Sequence, residues 1–341
     1  MKNVRNSSRY SFPRRKRWVV TGAAGFIGSH LVESLLLGDQ EVIGLDNFST
    51  GNKENLIDIE RAVGEKKWRK FKFYEGDTRD PDICNQICAG ADIVLHQAAL
   101  GSVPRSITNP LETNDVNVSG FLNILIAAKN RGVRRVVYAS SSSVYGNDRE
   151  PRKVEHRTGE PLSPYAVTKV VNELHAKVFS KIYDIQVIGL RYFNVFGPRQ
   201  NPDGVYSAVI PRWIKAMIEQ EPVIINGDGE TSRDFCFIKN VIQANFLAAE
   251  TEHPEALNQV YNVAVGESTS LLQLYSILKS GLTDYCKVLD EKSGPHFAPF
   301  RQGDVKHSLA DITKSIELLG YDPEYRLMDG IRQAIPWYIS R

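Results

Sequence analysis

Three short stretches of this chain hold residue types at spacings that could do chemistry. In Tyr165-Ala166-Val167-Thr168-Lys169 a phenol and an ammonium stand four residues apart. On a helix they share one face. A free phenol titrates near pH ~10 and is a poor base at neutral pH. A nearby lysine charge, and the charge of an oxidised nicotinamide, would lower that value. Ser140-Ser141-Ser142-Ser143-Val144-Tyr145-Gly146 gathers hydroxyls that could bind a substrate oxygen or cap a loop. In Thr21-Gly22-Ala23-Ala24-Gly25-Phe26-Ile27-Gly28 three glycines are spaced three apart. They suit a tight turn, close backbone approach to a pyrophosphate, and close packing of helix on strand. The helix that follows would offer free N–H groups to phosphates.

The elements that must position these residues follow from the pattern. Trp18 to Thr21 reads as a strand, then the glycine turn, then a helix to about Leu37. Glu41–Asp46, Lys70–Glu75, Ile93–His96, Arg135–Ser140 and Gln186–Arg191 read as further strands, with another at Asn258–Val265. Val116–Asn130 reads as a long amphipathic helix, and a helix should open near Pro164, since proline suits a first turn. Apolar strands alternating with helices predict an α/β fold, a doubly wound parallel sheet. Ligands bind at the carboxyl ends of such strands. Asp46 ends the second strand, where a carboxylate accepts from ribose hydroxyls and repels a 2′-phosphate. Asn47 and Phe48 follow, with no arginine, so NAD is expected over NADP. Asp77 ends the third strand near the adenine, and the small residues after His96-Gln97 leave room for the cofactor.

After Val195 the rhythm changes to loop chemistry and short elements. The reading is a flexible basic arm at 1–16, an NAD-binding domain at 17–195 with 234–265 returning to it, and a smaller α/β substrate domain from 196–233 and 266–341. Of 341 residues, 42% are hydrophobic and 24% charged, which suits a soluble globular enzyme. A net charge of +2 gives no reason to expect nucleic acid. No apolar run is long enough to span a membrane. Cys84, Cys88, Cys236 and Cys286 lack metal-ligand spacing, so no metal is expected and free thiols in the cytoplasm are the simplest reading.

The motifs at Thr21–Gly28, Ser141–Gly146, Tyr165–Lys169 and Arg191-Tyr192-Phe193-Asn194-Val195-Phe196-Gly197 resemble the extended short-chain dehydrogenase/reductases. Within that group the segments 96–106, 226–235 and 303–308 look most like the bacterial UDP-N-acetylglucosamine 4-epimerases. The resemblance implies a Rossmann domain with a tightly bound NAD that is regenerated in each cycle. It implies that Tyr165 is the base, that Ser141 bonds the sugar 4-oxygen, and that Lys169 holds the nicotinamide ribose. Cofactor contacts are implied at Gly22, Gly25, Phe26, Ile27, Gly28, Asp46, Asn47, Ser49, Gly51, Asp77, Thr78, Gln97 and Ala98, besides Tyr165 and Lys169. A UDP-sugar is the implied partner. Asn194, Arg233 and Arg301 would meet its diphosphate and Asp304 its ribose, within a site that includes Ala208, Val209, Trp213, Ile225 and Asn226. Ser102, Ser142 and Ser143 would surround a 2-acetamido group, and the small Ser308 would leave it room. A homodimer through helices 116–130 and 165–183 is implied as well.

Related 4,6-dehydratases carry Asp and Glu where this chain has Ser142 and Ser143, which argues against elimination of water. A 4-epimerase for UDP-glucuronate or UDP-N-acetylglucosaminuronate is compatible with the same serines. A non-catalytic NAD sensor would have no need of Tyr165 and Lys169.

Overall fold

The computed structural model describes residues 12–203, 207–283, 285, 294–300 and 305–341. Seven parallel strands form the main sheet: β1 (Arg17–Thr21), β2 (Glu41–Asp46), β3 (Phe71–Glu75), β4 (Ile93–His96), β5 (Arg135–Ser141), β7 (Gln186–Tyr192) and β12 (Val260–Val263). Their order is β12-β7-β5-β4-β1-β2-β3. The direction of travel reverses between β1 and β4, which opens a crevice at their carboxyl ends. Trp18, Val20, Leu95, Val137, Ile188 and Leu190 are buried in the sheet's core, which is why these strands read as unbroken apolar runs.

Three short sheets accompany the main one. β6 (Arg152–Lys153), β10 (Ser232–Arg233), β13 (Thr269–Ser270) and β15 (His307–Ala310) run in the order β13-β10-β15-β6. β9 (Ile224–Asn226) pairs with β14 (His296–Ala298), and β8 (Val195–Phe196) with β11 (Cys236–Phe237). β6, inside the span 17–195 expected for the NAD-binding domain, thus pairs with β15 near the end of the chain. Nothing local in Arg152-Lys153 announces a partner more than 150 residues away.

Two other expectations change. The basic arm is not solvated up to residue 16. Phe12 packs edge-on against Trp18 and Phe246, with ring centroids 5.6 and 5.2 Å away. Lys16 is buried and donates to Glu250 Oε2 at 2.5 Å. Both Phe246 and Glu250 lie on the distant helix Ile238–Glu250, beyond the reach of local spacing. The helix expected over 116–130 starts as a π-helical turn, Asp115–Ser119, and becomes α-helical only at Gly120–Asn130. That turn packs Gly120 against Thr78, where a Cβ would stand 2.5 Å from the threonine hydroxyl.

Candidate active site

The glycine turn has the shape its composition requires. Gly22 has φ +68°, and a side chain there would meet the Ala98 backbone at 2.9 Å. A Cβ on Gly28 would stand 2.0 Å from the Gly22 carbonyl, so helix and turn touch backbone to backbone. The helix Phe26–Leu37 has no side-chain cap and no acidic residue in its first turn. Its first N–H groups and positive dipole end are left for an anion, which fits a pyrophosphate. Asp46 braces the turn: its carboxylate accepts from Ala24 N at 2.9 Å and Phe48 N at 2.8 Å. Burial raises its pKa, against those hydrogen bonds. A carboxylate has about four acceptor positions, so it retains capacity for ribose hydroxyls. Ser49 and Gly51 line a 920 Å³ cleft together with Gly25 and Phe26.

The other cofactor-side residues fall into two groups. Asn47 donates to Asp77 at 2.7 Å, and Arg79 pairs with the same carboxylate, which holds Asp77 below the usual range. Ala98 N donates to Thr21 Oγ1, while Thr78 is buried behind the turn. Gln97 is different. Its amide is taken up by Tyr192, which donates to it at 3.1 Å, and by Asn245, which accepts from it at 3.1 Å. The side chain of Gln97 thus ties the end of β4 to β7.

The triad Ser141, Tyr165 and Lys169 assembles at the end of β5. Ser163 accepts from Ala166 N at 3.1 Å and Pro164 takes the first position, so the helix Pro164–Ile182 begins one residue before Tyr165. Ser141 stands by the Tyr165 hydroxyl and lowers its pKa. Ser141 also accepts from Ser143 N at 3.2 Å, so it caps the 3₁₀ turn Ser142–Tyr145 as well. Lys169 is buried and donates from Nζ to the Ala139 carbonyl at 2.9 Å. The lowering expected for the phenol calls on two charges, the lysine's and the nicotinamide's. Burial raises the Tyr165 pKa and only the Ser141 hydrogen bond opposes it. The Lys169 ammonium stands 5.8 Å from the Tyr165 ring centroid and is spent on a carbonyl. A nicotinamide cation bound alongside would supply the remaining lowering charge.

The expected substrate residues surround a separate cavity of about 250 Å³. Asn194, Ala208, Val209, Trp213, Asn226 and Arg233 all line it. Ile225 is fully buried on the same strand as Asn226. Asn194 has φ +28° and donates to the Asp234 carbonyl at 3.1 Å. Trp213 Nε1 is buried without a partner among the described residues, a donor available to a ligand. Register connects this cavity to the triad: Ser141 lies opposite Tyr192, two residues before Asn194. Ser308 lies opposite Arg233 on parallel strands. Ser143 Oγ is buried beside the triad and has no hydrogen-bond partner among the described residues. Ser102 instead caps its own helix, accepting from Arg105 N at 3.3 Å with φ +113°. Arg301 and Asp304 lie outside the described residues. Phe196, Gln200, Thr231, Phe235 and Leu271 also line the cavity and were not anticipated. Thr231 and Phe235 sat inside the motif 226–235, while Leu271 had no local signal.

Among the described residues no three His, Cys, Asp or Glu side chains gather to hold a metal ion. No helix is long and apolar enough to cross a membrane.

Residues 18–264 match the NAD dependent epimerase/dehydratase family. The chain belongs to that family. Its glycine turn, its Asp46 and its Ser141–Tyr165–Lys169 group fall within the matched span. A putative UDP-glucose 4-epimerase of Methanocaldococcus jannaschii is 36% identical over 321 residues, covering 94% of this chain and 97% of that one. Among solved structures, the UDP-N-acetylglucosamine 4-epimerase from Methanobrevibacter ruminantium in complex with UDP-N-acetylmuramic acid is 38% identical, with TM-score 0.86 over 96% of this chain and 99% of its own. The UDP-glucuronic acid 4-epimerase from Bacillus cereus, in complex with UDP-glucuronic acid and NAD, is 32% identical, with TM-score 0.84 over 95% and 99%. NAD is the cofactor of the family, and the seven-stranded doubly wound sheet is the fold of these relatives.

Proposed function

We propose that this enzyme is an isomerase that interconverts UDP-N-acetylglucosamine and UDP-N-acetylgalactosamine at C4. The observation that carries the reading is the gathering of Ser141, Tyr165 and Lys169 at the tip of β5, with serines at 142 and 143 where elimination would need acids. Bound NAD supplies reversible hydride transfer at C4. Tyr165 takes the proton from the 4-hydroxyl and later returns it to the 4-keto oxygen. Ser141 holds that oxygen in both directions. Lys169 steadies the ribose side of the site and keeps a positive charge below the phenol. The Arg233 fork and Asn194 bind the diphosphate, so the sugar ring can turn over while its nucleotide stays fixed. Ser308 beside Arg233 leaves room for an acetamido group.

Two copies pair through the exposed apolar stripe Leu174, Val178 and Ile182, joined by Ile107 and Leu111. The first three repeat every four residues on one helix face and are about half exposed or more. Leu174→Glu with Ile182→Glu should yield monomers in sedimentation, and unaltered dimers would rule this face out.

The test of substrate is incubation with UDP-N-acetylglucosamine, UDP-glucose, UDP-glucuronate and UDP-N-acetylglucosaminuronate, followed by separation of the products. Fastest conversion of the N-acetylated neutral sugar is expected. Preference for either uronic acid would replace this substrate with the uronate.

A further inference from the structure

Tyr165, Lys169 and Glu173 follow one another at four-residue intervals along the helix Pro164–Ile182. Each engages one of three consecutive residues of β5. Tyr165 faces Ser141, which lowers its pKa. Lys169 donates to the Ala139 carbonyl at 2.9 Å. Ser140 donates from Oγ to Glu173 Oε1 at 2.6 Å. Three helical turns thus grip the strand end that carries the reacting serine.

Glu173 is itself held from behind. Arg191 of β7 donates from Nε to Glu173 Oε1 at 2.9 Å and from Nη2 to Oε2 at 2.8 Å, a two-pronged contact. Only 4% of the Arg191 side chain and 14% of the Glu173 side chain are exposed. Arg191 also donates to the Glu155 carbonyl at 3.1 Å and stacks over Tyr145 at 4.9 Å. A carboxylate fixed this firmly has a defined position relative to the ammonium one turn away.

We propose that Glu173 is a positioning residue that acts through Lys169, keeping the ammonium charged and seated on β5. This rests on the reading of Ser141, Tyr165 and Lys169 as the reacting group. Burial works the other way: it pulls the Lys169 pKa down to about 8, and Glu173 opposes it. The other ionisable groups around this cluster give Lys169 no such support. His96 on β4 is held neutral, its pKa near 3, by burial and by the charge of Lys169. Burial raises the phenols of Tyr165 and Tyr138. Tyr145 is pushed up to about 12. Glu155 and Lys314 lie on the far side of Arg191, where burial moves both toward their neutral forms.

The test reads Lys169 without any sugar. Lysine side chains carrying ¹³C at Cε are titrated by NMR, and the Lys169 signal is assigned by its loss in Lys169→Met. In Glu173→Gln the Lys169 midpoint should fall by about one unit, a tenfold change in its acid–base equilibrium. The alkaline limb of kcat for the sugar should move down with it, with KM changed less than twofold. Ser140→Ala, which removes a hydrogen bond but no charge, should leave the midpoint in place. An unmoved midpoint in folded Glu173→Gln overturns the proposal. If that variant does not fold, Glu173→Asp decides, with a smaller downward shift expected and no shift contradicting it. A wild-type protein inactive on every UDP-sugar would sink the functional reading alone, since the titration would still be readable.

Discussion

Arg233 and Ser308 are register partners on the parallel strands β10 and β15. Side chains at opposed positions of neighbouring strands leave the sheet on the same face. The arginine assigned to the diphosphate and the small residue assigned to the acetamido group are therefore immediate neighbours. Arg233 is steadied there by its own strand, donating to the Ser232 carbonyl at 2.9 Å and to that of Lys306 at 3.3 Å.

This adjacency makes Ser308→Tyr a selective change. The larger ring should remove space next to the sugar and leave the nucleotide end in place. Turnover of UDP-N-acetylglucosamine should fall about tenfold more than that of UDP-glucose, measured as kcat/KM on both. Equal losses on the two sugars would mean that Ser308 shapes the pocket generally.

Tyr165→Phe removes the hydroxyl proposed as the proton acceptor, with little change in volume. Activity should drop by roughly 10²–10⁴-fold, the usual worth of a general base. NAD should stay bound, because the glycine turn and Asp46 are untouched; absorbance of the released cofactor after denaturation checks this. Retained activity would reassign the base.

Asp234 offers a test by pH. Its buried carboxylate accepts from Val265 N at 2.9 Å, Gly266 N at 3.0 Å and Ala310 N at 3.3 Å, tying β10 to the ends of β12 and β15. Burial outweighs these bonds and raises its pKa from 3.8 to about 6. The folded state then holds the proton more tightly than the unfolded chain between those values. From this group alone, stability should rise as pH falls from 6 toward 3.8. His30 and His96, both buried with pKa values near 3, pull the opposite way below 6.5, because the unfolded chain takes up their protons first. Comparison with Asp234→Asn isolates the carboxylate. The difference in Tm between wild type and variant should shift in favour of the wild type from pH 7 to pH 4.5. A constant difference would show that Asp234 titrates normally.

The large domain was legible because each of its signals is local. Continuous apolar runs marked the strands, and Gly22, Gly25 and Gly28 marked a turn whose spacing is dictated by backbone contact. Pro164 after Ser163 marked the helix that carries Tyr165. What escaped the sequence depends on contacts between distant segments. Phe12 finds Phe246, Gln97 finds Tyr192 and Asn245, and Arg152–Lys153 finds β15. Spacing placed Lys169 near the phenol, but only the fold shows its ammonium donating to the Ala139 carbonyl. Leu271 reaches the substrate cavity through the small sheet, with no mark of its own in the chain.

The central claim is that one sugar gives up and regains the same hydrogen at C4 on a cofactor left unchanged. UDP-N-acetylglucosamine labelled with deuterium at C4 tests it directly, with purified enzyme and no added NAD. The account expects UDP-N-acetylgalactosamine that keeps the deuterium at C4, read by mass spectrometry and NMR, with no NADH accumulating. Loss of the label to solvent, or product that forms only in proportion to added NAD, would contradict it.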